Sequence, residues 1–482
     1  MIMGNRNVRD APGTFARARA WQAGRVPTGR RTTRRGPRSA QLAVTAVVLT
    51  VTIAVAGCSS SGPRDNETPP TTTTTASLTT VATPGSTSLA LGSATPGTFT
   101  VGPGASTPTT PIPTTPSTPA PLSPAQARCT AVVMASLSPT ERAGQVLMVG
   151  VPAGSATSVT KTVTGYAVGG IFLRGRSTIS ASSLRQQLAA VQAASRRTTG
   201  VALHVAVDQE GGKVQTLSGK GFVALPTART QGSWTTSALR ARITASAKAL
   251  RAAGITVNLA PVADTVAVAD IPRNPPIGKV AREYGHTPSA VAADVTTVVA
   301  ASRAAGLGTA AKHFPGLGRV RANTDYSSSA VDAVTTAKDP NLAPFAAAVT
   351  AGTPMVMIAS ARYPRLDSQR IAAFSPAIVT TLLRGTMKFP GVAISDDLGA
   401  AKALAAVPVG TRAAAFIGAG GDLVLTVRAD QAPAMRKALL AQAARSASFT
   451  RRLDQAAGRV VASKVAAGLV SCTPAQLAGA TD

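Results

Sequence analysis

The sequence is poor in the residues that bind metal ions and in those that stack on ligands. Its 482 residues include three histidines, three cysteines and two tryptophans, and aromatic residues make up 3%. No two histidines stand at the spacing of a metal site, and neither a phosphate-binding glycine loop nor a Gly-x-Ser-x-Gly motif is present. We therefore expect no metal and no cofactor, and the scarcity of aromatic residues disfavours a long polysaccharide cleft.

Acidic residues are also scarce, so the chain is strongly basic. It has 20 Asp and Glu against 49 Lys and Arg, which gives a formal net charge of +29. Part of this excess lies before residue 39, and the remainder is scattered, without a basic stripe interleaved with aromatic residues. A nucleic-acid-binding protein concentrates its positive charge, so we expect no nucleic-acid partner. A solvated, arginine-rich surface explains the charge, and attraction to an anionic wall polymer or membrane is compatible with it.

The first 57 residues are organised like the signal peptide of a bacterial lipoprotein. A basic leader precedes an apolar run at 41–56, which is short for a membrane-spanning helix and ends in Val55-Ala56-Gly57-Cys58. Small residues before a lone cysteine resemble the lipobox, whose cysteine is lipidated and becomes the new N-terminus. We expect an exported protein held through Cys58 on the outer face of the cell membrane, facing the cell wall. An uncleaved anchor helix is the alternative.

A low-complexity tract and a pair of cysteines frame the rest of the chain. Residues 58–126 are rich in Thr, Pro, Ser and Gly and carry almost no charge. Such a composition buries too little apolar surface to offset the entropy of ordering, so it predicts a disordered tether. Cys129 and Cys472 bracket the remaining sequence. In an oxidising compartment they are a candidate disulfide, and two free buried thiols are the alternative.

Short apolar runs alternate with Ala-rich stretches of helical periodicity after residue 127. Eight such runs predict parallel strands covered on both faces and favour a closed barrel over an open sheet. The sequence thus predicts an α/β fold, a single (β/α)8 TIM-type barrel over 127–482, preceded by the signal peptide and the disordered linker. The predicted strands are 145–151, 169–173, 202–208, 256–262, 308–314, 355–360, 391–397 and 422–426. The predicted helices include 182–197, 235–253, 288–305, 375–387 and 402–418, with a long helical tail over 429–468.

Ionisable residues gather where the predicted strands end. Asp208 ends the third strand, Lys312 and His313 end the fifth, and Asp396 and Asp397 end the seventh. The carboxyl ends of the strands form the catalytic face of a TIM barrel. Several carboxylates in one mouth suit glycosidic cleavage, in which one attacks the anomeric carbon and another group protonates the leaving oxygen. Residue types and positions alone therefore indicate a carboxylate-based hydrolase or lyase.

Five motifs in a fixed order carry a family resemblance. They are Asp208-Gln209-Glu210-Gly211-Gly212, Ala260-Pro261-Val262-Ala263-Asp264, Ile277-Gly278 through Arg282-Glu283-Tyr284-Gly285, Lys312-His313-Phe314-Pro315-Gly316, and Ser395-Asp396-Asp397-Leu398. In this order they resemble glycoside hydrolase family 3, specifically its NagZ-type β-N-acetylglucosaminidases. The resemblance covers most of residues 135–430. With its signal and tether, the whole chain is similar to lipoprotein members of that family.

The resemblance implies roles for individual residues. Asp396 would be the nucleophile, which forms a covalent glycosyl intermediate and gives retention of configuration. The residues that would hold the terminal sugar are Asp208, Arg282, Lys312 and His313. The residues expected to be structural are Glu210 and Asp264 as hydrogen-bonding groups, Asp397 as a helix cap, and His204 and His286 as non-catalytic histidines.

The sequence departs from the family pattern on the side of proton transfer. Leu317 stands where the family has a second His after Pro-Gly, Ser360 replaces a His after the sixth strand, and Thr216 replaces an Arg. The family's mobile loop carries Asp-Ser-His, whose His is the general acid/base, and here the same spacing gives Asn323-Thr324-Asp325. We hypothesise that Asp325 is the acid/base, since a carboxylic acid can do this work when its pKa is raised. The alternative is that Asp325 only braces the loop.

The sequence as a whole indicates an enzyme of the cell envelope. We expect a monomeric, exported lipoprotein that releases terminal β-N-acetylglucosamine from peptidoglycan or muropeptide fragments, with retention. The alternative is a non-catalytic lipoprotein that binds wall glycans on the same barrel, which the altered loop motivates. A solute-binding lipoprotein is disfavoured, because the pattern lacks two equal lobes.

Overall fold

The structure of the protein is a computed structural model, and it describes residues 122–478. The predicted signal peptide at 1–57, the lipidation site Cys58 and the predicted tether up to residue 121 lie outside the described residues. Within the described range, the first helix begins at Pro124, slightly before the expected start of the barrel domain at residue 127. No helix among residues 122–478 combines the length and the apolar character needed to cross a bilayer.

Eight of the strands in the described range belong to one parallel sheet, and four form two small hairpins. Seven of the eight sheet strands match predicted strands closely, and the fourth is shorter than predicted because only its first residues pair with both neighbours. The strands are β1 (Leu147–Pro152), β2 (Gly170–Arg174), β3 (His204–Val207), β4 (Gln209–Gly211), β5 (Val214–Gln215), β6 (Val257–Asn258), β7 (Gly308–Phe314), β8 (Met355–Ile358), β9 (Arg362–Tyr363), β10 (Asp367–Ile371), β11 (Val392–Ser395) and β12 (Val424–Thr426).

Helices fill the connections between the strands and extend beyond the last strand. The predicted tail at 429–468 is two helices, because Ser446 ends one helix and accepts the Phe449 amide at the start of the next. The predicted segment 402–418 is α-helical only from Val409. The helices are α1 (Pro124–Ser136), α2 (Pro139–Gln145), α3 (Thr160–Tyr166), α4 (Ala181–Thr199), α5 (Ala228–Gln231), α6 (Thr236–Ala252), α7 (Pro288–Ala304), α8 (Ala343–Thr350), α9 (Val409–Gly418), α10 (Ala432–Arg445), α11 (Ala447–Ala466) and α12 (Pro474–Ala478), with a π-helical segment at Ala377–Thr386.

The eight-stranded sheet is a nearly closed barrel. Its strand order is β11-β8-β7-β6-β3-β2-β1-β12, and every pairing within it is parallel. The two ends meet where the Ser395 amide donates to Leu423 O at 3.0 Å and the Leu423 amide donates to Ala393 O at 3.1 Å. The α/β fold and the TIM-type barrel that the sequence predicts are therefore confirmed.

Apolar side chains pack on both faces of the barrel strands, inwards into the barrel and outwards against the helices. The strands therefore have continuous apolar sequences rather than alternating apolar and polar residues. One cluster of buried residues comes from alternate strand positions and fills the barrel interior. A larger cluster lies between the wall and the surrounding helices. The interior cluster includes Met148, Phe172, Ala206, Val257, Ala310, Met355, Ile394 and Leu425.

The two ends of the described chain are joined covalently. Cys129 on α1 and Cys472 after α11 form a disulfide, and their Cα atoms lie 5.6 Å apart. Around them α1 packs against α11 through Val133, Val461 and other apolar residues. The disulfide therefore links α1, which precedes the first barrel strand, to the segment that follows α11.

Candidate active site

The predicted site residues come together in one cleft at the carboxyl ends of the barrel strands. The cleft has a volume of about 500 Å³. It is positioned as the fold requires, because the loops that follow parallel strands all emerge at this end of the barrel. Its lining includes every residue that we predicted from the sequence for catalysis or sugar binding: Asp208, Arg282, Lys312, His313, Asp325 and Asp396.

Asp396 follows directly after β11, and only one of its two carboxylate oxygens accepts a hydrogen bond from the described residues. Its backbone amide donates to Ile358 O at 3.0 Å, which fixes the residue at the end of the barrel wall. Its Oδ1 accepts the Asp397 amide at 2.8 Å. No described residue donates to Oδ2, so one oxygen of a partly exposed carboxylate is left for another partner.

Lys312, which is buried, and Arg282, which is largely buried, form a compact network with two carboxylates in the cleft that also contains Asp396. Lys312 Nζ lies 2.6 Å from both Asp208 Oδ1 and Glu210 Oε1. Arg282 binds Glu210 with two parallel bonds, Nε to Oε2 at 2.9 Å and Nη2 to Oε1 at 2.8 Å. Such fork-to-fork pairing fixes the orientation of the guanidinium group as well as its charge.

The charges in this network hold one another ionised. Burial by itself would raise the pKa of Glu210, but Arg282 and Lys312 outweigh it and lower that pKa to about 2. Burial would lower the pKa of Lys312, yet Asp208 and Glu210 raise it above its ordinary value. Glu210 is therefore a permanent anion that positions two cations, in agreement with the structural role expected from the sequence.

His313 is oriented by Asp264 beneath the cleft. Its Nδ1 lies 2.7 Å from Asp264 Oδ2, and the other carboxylate oxygen accepts the amides of His313 and Leu317. On the far side of the ring, Nε2 lies 3.4 Å from Arg282 Nη2. Because arginine can only donate, this contact makes Nε2 an acceptor and assigns the ring proton to Nδ1. Asp264 thus has the structural hydrogen-bonding position that the sequence indicated.

Asp325 lies on the loop after β7, and backbone hydrogen bonds attach this loop to the segment that follows Asp396. The Lys402 amide donates to Asp325 O at 3.1 Å, and the Ala403 amide donates to Thr324 O at 3.0 Å. Asp325 is exposed as a residue and lines the open cleft; partial desolvation there raises the pKa of its carboxyl to about 6, and the negative charge of Asp396 adds to this rise. A carboxylic acid with such a pKa keeps its proton in about a tenth of the molecules at pH 7 and in most of them below pH 6, which suits it to general acid catalysis.

Asp397 braces a turn and does not cap a helix. Its Oδ1 accepts the amides of Gly399 at 2.8 Å and Val427 at 2.9 Å, and its Oδ2 accepts that of Ala400 at 2.8 Å. No helix begins at this residue, so the expectation of a helix cap is wrong. The three bonds tie the ends of β11 and β12 together, which holds the backbone that carries Asp396.

The two remaining histidines lie away from the cleft lining. His204 is buried at the first residue of β3, with Nε2 2.7 Å from Ser463 Oγ, and burial lowers its pKa to about 3. His286 Nδ1 contacts Val266 O at 3.0 Å. Neither residue lines the cleft, which agrees with the expectation that both are non-catalytic.

The structure also shows site residues that sequence reasoning missed. An apolar wall comes from barrel strands and their ends, and the exposed ring of Tyr326 stands next to Asp325. The apolar wall could have been found from the sequence, because successive side chains of a strand point alternately into and out of the barrel. Of the residues that depart from the family pattern, Leu317 lines the cleft, whereas Ser360 is buried and its Oγ has no partner among described residues. The wall residues are Phe172, Leu259, Met357, Leu425 and Val427.

Two carboxyl groups in different surroundings, beside oriented cations in a barrel mouth, are what glycosidic cleavage requires. Among residues 122–478 no group of three or more His, Cys, Asp or Glu is arranged to hold a metal ion. The carboxyl groups that line the cleft can provide nucleophilic and acid–base chemistry. Fold and site together define a glycosidase, an enzyme that hydrolyses O-glycosyl bonds.

Comparisons with known proteins identify the family. The model of the glycosyl hydrolase family 3 N-terminal domain matches residues 139–463, and the chain belongs to this family. A β-hexosaminidase of Xanthomonas oryzae is 34% identical over 270 residues, covering 54% of this chain and 76% of that protein. A β-hexosaminidase of Stenotrophomonas maltophilia is likewise 34% identical over 268 residues, covering 54% of this chain and 76% of that protein.

Solved structures give the same relationship over the folded region. The crystal structure of a β-N-acetylhexosaminidase from Beutenbergia cavernae is 43% identical, with a TM-score of 0.66, and the match covers 69% of this chain and 99% of that one. The structure of LpqI from M. tuberculosis is 28% identical, with a TM-score of 0.60, and covers 72% and 97% of the two chains. The resemblance to NagZ-type members that the five motifs predict is thereby confirmed.

Proposed function

We propose that the protein is an exo-acting, retaining β-N-acetylglucosaminidase, exported and lipid-anchored, that trims terminal N-acetylglucosamine from peptidoglycan or muropeptide fragments. The observation that carries the catalytic part is the pairing in one cleft of Asp396, whose Oδ2 is uncommitted, with Asp325, whose carboxyl has a raised pKa. The names of the related β-hexosaminidases support the choice of sugar.

The reaction proceeds in two displacement steps. Asp396 attacks the anomeric carbon while Asp325 donates its proton to the glycosidic oxygen, so that the leaving alcohol departs neutral and a covalent glycosyl-aspartate forms. Asp325, now ionised, takes a proton from water, and the hydroxide equivalent displaces Asp396 from the sugar. Two inversions give net retention, and both carboxyl groups return to their starting states.

The buried network beside Asp396 holds the terminal sugar. Lys312 and Arg282 supply hydrogen-bond donors whose positions Glu210 fixes, and Asp208 accepts from sugar hydroxyls. His313, which Asp264 orients, contributes by holding Arg282 Nη2 through its Nε2. The small, apolar-walled cleft of about 500 Å³ fits removal of one terminal residue better than binding of a long chain.

The cellular part of the proposal depends on the lipobox. Lipidation of Cys58 would retain the enzyme on the outer face of the cell membrane, where wall fragments are available. The substitution Cys58→Ala should abolish incorporation of labelled fatty acid and release the protein into the medium or leave it unprocessed. Unchanged labelling of the variant would contradict the anchor without affecting the catalytic proposal.

Catalysis can be tested on the purified protein. We expect wild type to hydrolyse an aryl β-N-acetylglucosaminide, and Asp396→Asn to lose that activity by several orders of magnitude, roughly 10³-fold or more. A fluorinated N-acetylglucosamine analogue should add its mass to wild type at Asp396 and add nothing to Asp396→Asn. Asp430→Asn is the matched control, because it removes the same charge from an exposed surface pair and should keep full activity.

The altered loop supports one competing function. Because Asp325 replaces the family's histidine, the barrel could serve as a non-catalytic wall-glycan-binding lipoprotein. Absence of turnover by wild type on any aryl glycoside, together with measurable binding of N-acetylglucosamine oligomers, would favour that alternative.

A further inference from the structure

A cluster of three arginines lies at the end of the barrel opposite the cleft. It surrounds Asp422, which lies two residues before β12 and whose side chain is fully buried. Arg384 reaches it from the π-helical segment, and Arg452 and Arg459 reach it from α11. One negative charge therefore faces three positive charges, an imbalance that burial makes costly.

The acceptor capacity of Asp422 is already used in full. Its Oδ1 accepts Arg452 Nη2 at 2.8 Å and Arg459 Nη1 at 3.2 Å. Its Oδ2 accepts Arg384 Nη2 and the Ala393 amide. A carboxylate has about four lone-pair sites, so Asp422 cannot satisfy any further guanidinium donor.

Charged donors remain in the cluster after these bonds are counted. Arg384 Nε and Arg452 Nη1 are buried, and neither has a hydrogen-bond partner among the described residues. The other hydrogen bonds of these two arginines go to the uncharged backbone oxygens of Phe389, Gly391 and Gly421, and the Arg384 guanidinium also lies over the Phe389 ring, 5.3 Å from its centre.

The surrounding charge does not correct the imbalance. Burial lowers the pKa of Arg384 to about 10, and the positive charges of Arg459 and Arg452 oppose the effect of Asp422. The acid carried by α11 is Asp454, and it pairs with Arg142 at 3.3 Å. The cluster thus has more charged donors than acceptors and more positive than negative charge.

We infer that this cluster, Arg384, Arg452 and Arg459 around Asp422, is a binding site for a small inorganic anion of the chloride or phosphate type. Such an anion supplies both the missing acceptor and the missing negative charge, and guanidinium groups bind it through charge-assisted hydrogen bonds. Arg459 is 36% exposed in its side chain, so one edge of the cluster lies at the protein surface. Because the arginines belong to α11 and to the π-helical segment, the bound anion stabilises the packing of α11 against the end of the barrel opposite the cleft.

Thermal unfolding of the purified full-length protein tests the inference independently of glycosidase activity. At constant ionic strength held with gluconate, whose bulk should exclude it from the cluster, titration with 0–20 mM chloride or phosphate should raise Tm by about 2–4 °C. Arg459→Gln should abolish the response, because it removes the exposed contact and keeps two arginines against Asp422. Arg451→Gln is the matched control, since it removes one exposed charge from the same helix beside Arg452 and should respond as wild type does.

Crystals soaked in bromide locate the anion directly in the wild-type protein. An anomalous peak within about 3.5 Å of Arg384 Nε, Arg452 Nη1 or the Arg459 guanidinium supports the site, as does phosphate density there. Equal Tm responses in wild type and Arg459→Gln would reduce the effect to general salt stabilisation and overturn the inference. Absence of both the peak and the Tm response in wild type would also overturn it, and this outcome can be read even if Arg459→Gln fails to fold.

Discussion

Replacing Asp325 by asparagine should remove a pH dependence that wild-type catalysis shows above about pH 6. Partial desolvation in the cleft and the nearby charge of Asp396 raise the pKa of Asp325 to about 6. Only the protonated form can donate to a leaving group, so about a tenth of the enzyme is competent at pH 7 and about a hundredth at pH 8. For wild type, kcat/KM on a substrate with a poor leaving group should therefore fall about tenfold per pH unit above that value.

The size of the mutational effect depends on how much the leaving group needs a proton. Asp325→Asn keeps the side-chain shape and the backbone bond from the Lys402 amide to Asp325 O, so the loop should stay in place. On an N-acetylglucosamine disaccharide we expect a loss of about 10²–10⁴-fold in kcat/KM. On a dinitrophenyl glycoside, whose leaving group departs without protonation, kcat/KM should change little, and added azide should restore turnover of the glycosyl-enzyme.

Two results would refute this reasoning. Equal losses on both substrates would assign Asp325 to bracing the loop, because a structural defect does not distinguish leaving groups. A basic limb near pH 6 that persists in Asp325→Asn would show that another group supplies the proton. Asp430→Asn, an exposed and isosteric charge loss, should reproduce the wild-type profile and serves as the control.

Three further predictions concern stability. Glu210→Gln should destabilise the fold by roughly 3–5 kcal/mol in urea unfolding, because it leaves two buried cations without their shared carboxylate; a loss under about 1 kcal/mol would contradict the network. Burial, with the charge of Lys464, lowers the pKa of His204 to about 3 in the folded protein. The stability that the neutral His204 side chain contributes is therefore fully present above its unfolded pKa near 6.5. It is lost as the pH falls towards 3, and the loss is on the order of 4 kcal/mol. The variant His204→Asn should show a flatter dependence of the free energy of unfolding on pH in this range. Joint replacement of Cys129 and Cys472 by serine should cost about 2–5 kcal/mol, since the bond closes a loop of 343 residues, and reductant should lower Tm in wild type but not in the double variant.

The barrel could be predicted because its elements are encoded locally. Strands covered on both faces need unbroken apolar runs, and the helices between them need apolar residues at a period near 3.6. The run at 308–314 coincides with β7 as observed. The run at 256–262 is longer than β6, which pairs with both neighbours only over Val257–Asn258; beyond it the chain stays hydrogen-bonded to β7, through Ala260 O and Pro261 O as acceptors and the Ala263 amide as donor.

Partners within the site could not be predicted, because they are distant in sequence. Arg282 and Glu210 are 72 residues apart, and Lys312 and Asp208 are 104 apart, yet each pair is in direct contact. Single-sequence periodicity contains no information on which strand ends become neighbours once the barrel closes. For the same reason Asp397 was expected to cap a helix, although its third partner is the Val427 amide beyond the next strand.

The sequence by itself determined the α/β barrel, the end of the barrel at which the ionisable residues gather, and the identity of the candidate nucleophile, since each depends on local periodicity or on short motifs. Only the tertiary structure decided that Glu210 holds both cations, that the Asp325 loop is attached beside Asp396, and that three arginines converge on Asp422. Those features arise from barrel closure, which brings together groups far apart in the chain and withdraws them from water. Burial then sets their charges and pKa values, and burial is a property of the folded chain alone.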